Sequence, residues 1–344
     1  MKQISLFCPS CKSKAVVKSG KRKNKSQEIQ RYKCNSCKKT FINAGLKSKT
    51  YPANIILNSI SCYNLGNTQA GTSAIIRRKH KIEVPQRTIS EWLKEYREIC
   101  TFSRLRKQSA ALYNPEELIH KQALNHIQLY TFKYHKAKLD ILTKENPKFA
   151  SIKTHIEKIN SKQYPHRIFT YNKEENENNQ RASQIKFNHL KINHIQKQNQ
   201  ANEMAKLALN LASNNQQRHE AIQNFFLIND STTIAVEVPI YLTNWDAGYY
   251  RNQKGFIFPL NTYKTPITGH IDILQIRNGL IHILDYKPEA DKIQPIGQLT
   301  IYALALSRKL NLPLYYFKCA WFDENYCKEF FPLHAVYEKN TKVI

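Results

Sequence analysis

Two groups of residues have the types and spacing to do chemistry. The first is Asp272, Asp285 and Lys287. They lie in the run Gly269-His270-Ile271-Asp272 through Leu284-Asp285-Tyr286-Lys287. A strand alternates its side chains between faces, so Asp285 and Lys287, two apart, share one face. The runs 268–276 and 280–287, around the turn Arg277-Asn278-Gly279, read as a hairpin that brings Asp272 beside them. Ile271, Ile273, Ile283 and Leu284 are apolar neighbours, and unpaired carboxylates among them would be costly. A divalent cation removes that cost. Two carboxylates and a backbone carbonyl suit Mg²⁺ or Mn²⁺. Such an ion lowers the pKa of a bound water and stabilises charge on a scissile phosphate. Lys287 would orient or activate the water and stabilise the developing charge. A lone Asp-x-Lys also occurs as a plain surface salt bridge. Gln298 and Tyr302 strengthen the set, being i and i+4 on one helix face shortly after Lys287.

The second group is Cys8-Pro-Ser-Cys11 and Cys34-Asn-Ser-Cys37, two CxxC pairs separated by 22 residues. Two such turns make a tetrahedral four-cysteine zinc site of the structural kind. A redox CxxC is the competing reading, but no βαβ pattern accompanies it. Between the pairs lie Lys12, Lys14, Lys18, Lys21, Arg22, Lys23, Lys25, Arg31 and Lys33, which suit phosphate contact or a solvated charged face.

The elements that position these groups follow from pattern. The domain expectation is a zinc ribbon over 1–45, a helix-turn-helix unit over 50–98, a basic helical region and linker over 99–200, and a C-terminal domain over 201–344 that carries the acidic group. In the second of these, Gly66-Asn67-Thr68 turns between 55–65 and 72–79, and Pro85 opens a last helix. Ile89, Trp92, Leu93 and Tyr96 form its apolar stripe, which leaves Arg87, Thr88, Glu91 and Lys94 for solvent or DNA. Segments 115–143 and 148–160 read as helical, and 172–180 as a linker. From 200 onward the order is helix, strand 233–242, a long aromatic loop, the hairpin, an apolar helix over 295–310 and a strand over 313–322. The fold class is therefore α/β, with a mixed sheet in the C-terminal part.

Charge is uneven. The formal net charge is +27, and residues 1–100 hold 21 Lys+Arg against 5 Asp+Glu. Residues 201–344 hold 14 against 13. The basic front of the chain points to a polyanion such as DNA, or RNA. No signal-like apolar run opens the sequence and no stretch has membrane length, so a cytoplasmic location is expected. His135, His155, His166, His189 and His194 show no ligand spacing and read as solvated or DNA-facing.

Together, Gly-x-x-Asp, Asp-Tyr-Lys and Gln-x-x-x-Tyr-Ala over about 215–322 resemble the RecB-type and virus-type exonuclease branch of the PD-(D/E)XK nucleases. The resemblance implies an αβββαβ core. It implies metal ligation by Asp272 and Asp285, a catalytic Lys287, and contact with the active site and DNA by Gln298 and Tyr302. It also implies an acidic residue or histidine on the preceding helix, with Glu220 the first choice and His219 the second. Glu237 is either a further ligand or an edge-strand carboxylate. Residues 5–98, with Arg31-Tyr32-Lys33-Cys34, Phe41 and the helix Thr88–Leu93, resemble the zinc-ribbon and helix-turn-helix front of insertion-sequence transposases. That resemblance implies DNA binding, with Lys21, Arg22, Lys23, Arg87, Thr88 and Lys94 as contacts. No transposase catalytic domain follows. The leading expectation is a DNA-binding deoxyribonuclease dependent on Mg²⁺ or Mn²⁺, exo- or endonuclease. The alternative is a non-catalytic DNA-binding protein of a mobile element or virus with a decayed nuclease fold.

Overall fold

A computed structural model describes residues 8, 10–11, 13–23, 28–42, 46, 49–170, 180–185, 192, 194–257 and 266–337. The chain divides into two compact units, 1–98 with 206–222, and 99–205 with 223–344.

In the first unit, β1 (Val16–Lys23), β2 (Glu28–Cys34) and β3 (Thr40–Ile42) form a small antiparallel sheet. Tyr32 stacks on Phe41 across β2 and β3, with ring centroids 6.0 Å apart. Three helices follow: α1 (Ala53–Asn64), α2 (Gln69–His80) and α3 (Gln86–Glu95). Each packs on the other two. Thr68 caps α2 by accepting the Gly71 N–H at 3.0 Å, which stops α1 and starts α2 where the turn is expected. Pro85 precedes α3, and the apolar stripe is buried as its spacing requires: Ile89, Trp92 and Tyr96 are inside, with Leu93 half-buried.

The second unit is mixed α/β. In chain order it holds α4 (Ser103–Leu112), β4 (Ile119–His126), β5 (Gln128–His135), α5 (Lys136–Glu145) and α6 (Ala150–Lys158). Next come β6 (Ile195–Lys197), α7 (Gln200–Ala208), α8 (Arg218–Asn229), β7 (Thr233–Leu242) and α9 (Asn244–Lys254). Then follow β8 (Ile267–Arg277), β9 (Leu280–Tyr286), α10 (Ile296–Leu310), β10 (Phe317–Phe322), β11 (Cys327–Phe330) and α11 (Leu333–Val336). The division between units falls inside α7 and α8. Eight strands make one mixed sheet in the order β4-β5-β7-β8-β9-β10-β11-β6. Only β9 and β10 run parallel, and α10 makes the crossover between them. Asn278 and Gly279 both have positive φ, the geometry of a two-residue hairpin turn between β8 and β9.

The middle region departs from expectation. Residues 119–135 are not helical but form the hairpin β4–β5. Tyr130, Phe132 and Tyr134 alternate along β5, a period-two aromatic pattern hidden by polar surroundings. The hairpin joins β7 through Lys133↔Val236 and Tyr134↔Ala235, so 99–200 extends the sheet and β7 is internal. The aromatic loop expected after β7 is in part helix α9, started by a reciprocal cap between Thr243 and Asp246. The expected linker at 172–180 and His189 lie outside the described residues, apart from Gln180.

The core is continuous on both faces of the sheet. Tyr286, Trp321 and Phe322 are fully buried. Lys138 is also fully buried, and its ammonium donates to the carbonyls of Leu227 and Asp230 at the end of α8. Those carbonyls have no helical partner of their own, so the lysine closes the helix.

Candidate active site and metal cluster

The hairpin β8–β9 positions the acidic groups. Ile273 pairs with Leu284, and one step further Asp272 comes opposite Asp285. Residues opposite each other in antiparallel strands point to one face, so the carboxylates converge. Asp285 is 2% exposed, whereas Asp272 is half-buried and accepts the Tyr286 N–H at 3.1 Å. Lys287 extends from the end of β9, with its N–H on the Phe322 carbonyl at 2.9 Å. Its Nζ stands 2.7 Å from Asp285 Oδ2. That oxygen is buried and receives no hydrogen bond of regular geometry among the described residues.

Burial pushes the Asp285 carboxyl up to about 8; Asp272 adds to this and Lys287 opposes it. Burial works against the Lys287 ammonium, but Asp285 and Asp272 outweigh it and hold its pKa above the ordinary lysine value. Both shifts have one origin: two carboxylates share a dry place with one cation.

Helix α10 closes the site. Gln298 Nε2 donates to Tyr302 Oη at 2.9 Å, one turn along the helix. Burial, then Asp285, raise the Tyr302 hydroxyl pKa, while the Gln298 amide and the His270 N–H work the other way. Gly269 explains the Gly-x-x-Asp spacing. A Cβ there would stand 2.4 Å from Tyr302 Cε1 and 2.9 Å from its Oη. The glycine lets the tyrosine ring lie against β8, three residues before Asp272.

Glu237 joins the row. Val236↔Ile273 and Val238↔Ile271 bracket it opposite Asp272, so Glu237, Asp272 and Asp285 sit side by side on β7, β8 and β9. It is not an edge-strand carboxylate. Its φ of 53° is a left-handed conformation that costs a glutamate about 1–2 kcal/mol. Gln223 on α8 donates to Glu237 Oε1 at 2.6 Å. Glu220 is an exposed residue in the first turn of α8, next to half-buried His219. Gln223, one turn further along α8, is bonded to the row. The structure thus brings together Asp272, Asp285, Lys287, Gln298 and Tyr302 of the expected set.

Sequence reasoning missed Tyr130, Arg181 and the histidines. Burial pushes the Tyr130 hydroxyl up; Arg181 opposes this while Glu237 and Asp272 add to it, so all three surround Tyr130. The Tyr130 ring lies flat on His270, with centroids 3.7 Å apart. His270 Nε2 meets His126 Nδ1 at 2.9 Å, and His126 Nε2 meets His166 Nδ1 at 3.0 Å. The chain ends at His166 Nε2 on the Ile159 carbonyl, 3.0 Å away. A carbonyl only accepts, so with neutral rings each Nε2 donates and each Nδ1 accepts. Burial, then the neighbouring histidine, holds His126 down to about 4 and His270 down to about 3. His166 is therefore half-buried with both ring nitrogens bonded inside the protein, and His135 is fully buried. His155 has an enclosed Nε2, and the ring of His194 lies beside Trp321. These positions are 40 to 144 residues apart in sequence, so no local spacing could mark them.

In the first unit, Cys8, Cys11, Cys34 and Cys37 place their sulfurs within 4.8 Å of one another. Cys8–Cys37 and Cys11–Cys34 are each 3.5 Å apart. That is too long for a disulfide, near 2.05 Å. It is close to the roughly 3.8 Å edge of a tetrahedron with Zn–S near 2.3 Å. The cluster could hold a metal ion such as zinc. Among the described residues it is the one such cluster of three or more His, Cys, Asp or Glu ligands, so the acidic row offers a metal two close carboxylates rather than three. On α3, Arg87 is exposed and paired with Glu91 at 3.2 Å. Lys94 lies exposed two turns on, and Thr88 is half-buried. Lys21 is exposed on β1, while the side chains of Arg22 and Lys23 lie outside the described residues. No described helix is long and apolar enough to cross a membrane.

Comparison with protein-family models, with curated proteins and with solved structures gives no match.

Three outcomes are expected. Gly269→Ala should lower the unfolding midpoint, by about 1–3 kcal/mol in stability. In the Tyr302→Ala background the same change should cost far less, and equal costs in both backgrounds would refute the contact. The Asp285 carboxyl is raised above its unfolded value, so metal-free protein loses stability as pH rises from about 4 to about 8. Asp285→Asn should remove that loss, so its stability advantage in urea unfolding should grow from pH 5 to pH 8. A constant difference would contradict the assignment. Elemental analysis of reduced protein should find zinc bound, with the Cys8→Ser/Cys37→Ser variant depleted of it.

Proposed function

We propose that the C-terminal unit is a divalent-metal-dependent nuclease that hydrolyses phosphodiester bonds in DNA, and that the N-terminal unit binds the DNA. One observation carries this reading. Asp272 and Asp285 face each other, and the buried Asp285 Oδ2 has Lys287 Nζ at 2.7 Å as its close partner among the described residues. A buried carboxylate that faces a second carboxylate, with one lysine as its close partner, is further stabilised by a divalent cation. The donor set is all oxygen, which fits Mg²⁺ or Mn²⁺ better than a soft ion. With α9 as an insertion after β7, the order helix, three antiparallel strands, helix, parallel strand supports the core that the resemblance implies.

Asp272 and Asp285 would hold the ion. When bound, it supplies Lewis-acid stabilisation of the phosphoryl oxygens and lowers the pKa of the attacking water. The chain's own residues do the rest. Lys287 keeps its proton, because the two carboxylates raise its pKa, and so presents a positive charge to the phosphate. It orients the water as a donor. Tyr302 is held at Oη by donors from Gln298 and the His270 backbone, so its own proton can be given to an acceptor. Gln223 fixes Glu237 beside Asp272, where its carboxylate can order a second water.

In the first unit, α3 supplies Arg87, Thr88 and Lys94 to a DNA groove, and the ribbon supplies Lys21, Arg22 and Lys23 to phosphates. Its excess of basic residues lies in front of the stretch 201–344, which holds 14 Lys+Arg against 13 Asp+Glu.

The test is metal-dependent cutting of single-stranded, duplex and branched DNA, and of RNA, by the full chain with Mn²⁺. Lys287→Ala and Asp272→Ala should each lower the rate by about a hundredfold or more. Unchanged cutting by both variants would end the assignment. No cutting of any substrate would leave a DNA-binding protein without catalysis.

A further inference from the structure

The sheet face opposite the carboxylates carries a second polar site. On β9, His282 and Leu284 alternate with Ile283 and Asp285, so they point away from the acidic row. They line a cavity of about 200 Å³. Lys197, Arg277 and Lys318 bring three cations to its walls. The first turn of α7, from Asn199 to Ala201, forms another wall, and Asn199 Oδ1 caps it by accepting the Ala201 N–H at 2.9 Å. The positive end of a helix dipole therefore borders the cavity. Met204, Phe226 and Leu284 give it an apolar floor.

The polar groups here are not all spent on one another. Glu329 bridges Lys197 at 3.1 Å and Lys318 at 2.8 Å. Asp230 also borders the cavity, but its Oδ2 already accepts from Thr232, Thr233 and Gln275. Arg277 has no carboxylate partner among the described residues. His282 Nε2 is enclosed and has no hydrogen-bond partner among the described residues. Burial, then Lys318 and Arg277, holds its imidazole down to about 4, so the ring is neutral and can donate. A guanidinium and an imidazole N–H face one space, beside the positive end of a helix dipole, and together they favour an anion there.

We propose that this cavity binds a nucleoside monophosphate. Its phosphate would lie among Arg277, His282 Nε2 and the first turn of α7, and its base against Met204, Phe226 and Leu284. The free volume is below that of most ligand pockets, so it takes at most the phosphate and base of one nucleotide, with the sugar at the mouth. The site lies on the other face from Asp272 and Asp285, so it stands whether or not those residues cut DNA.

Isothermal titration of the full chain without divalent cations tests this, with 5′-dAMP, deoxyadenosine and inorganic phosphate as probes. 5′-dAMP should bind saturably, and more tightly than deoxyadenosine or phosphate. Arg277→Ala and His282→Leu should each weaken 5′-dAMP binding at least tenfold, while Lys287→Ala on the opposite face should leave it unchanged. Arg277 is half-buried at a hairpin end, so that variant should keep the wild-type thermal midpoint and decides the matter if His282→Leu does not fold. Equal binding by Arg277→Ala, phosphate binding as tightly as 5′-dAMP, or no saturable binding would each overturn the proposal.

Discussion

Like charges held in a dry place set the terms for the second unit. Glu237, Asp272 and Asp285 stand side by side on three adjacent strands, and Asp285 is almost completely enclosed. Repulsion of this kind is tolerable only where the surroundings are rigid and cations are close. Lys287 supplies one cation from the same strand end. The sheet supplies the rigidity, with β7, β8 and β9 each paired on both edges. Helix α10 seals the site with Tyr302, which reaches β8 only because position 269 has no side chain.

Support for this arrangement extends through the same unit. The β4–β5 hairpin covers the edge of β7, so the left-handed kink at Glu237 lies within the sheet and not at a fraying margin. It also carries His126 and Tyr130, which pack on His270 beside the row. Buried imidazoles linked ring to ring and anchored on a carbonyl have little freedom to turn. They fix the strand that holds Asp272.

The first unit follows another logic. Its sheet has three short strands, too few to bury a core of their own. Four sulfurs drawn together at one end fill that role, and the stretch between them is left to basic side chains. The three helices after it hold a core around Ile89, Trp92 and Tyr96, which leaves Arg87 and Lys94 exposed.

The sequence by itself determined whatever depends on neighbours along the chain. The CxxC spacing, the Asn278-Gly279 turn, the stripe of α3, and the period of two that sets Asp285 and Lys287 on one face are all local. Side-chain direction repeats with the backbone, and the repeat is written in residue order. Only the tertiary structure decided the rest. The hairpin at 119–135 is a strand pair because β7, about a hundred residues later, accepts it as an edge. Gln223 on α8 bonds Glu237 because of how the helix is rotated against the sheet, which residue order alone does not state. The three histidines met because strand pairing and a short helical turn brought distant segments into one space. Contacts of this kind leave no periodicity in the chain, since packing between separate elements creates them.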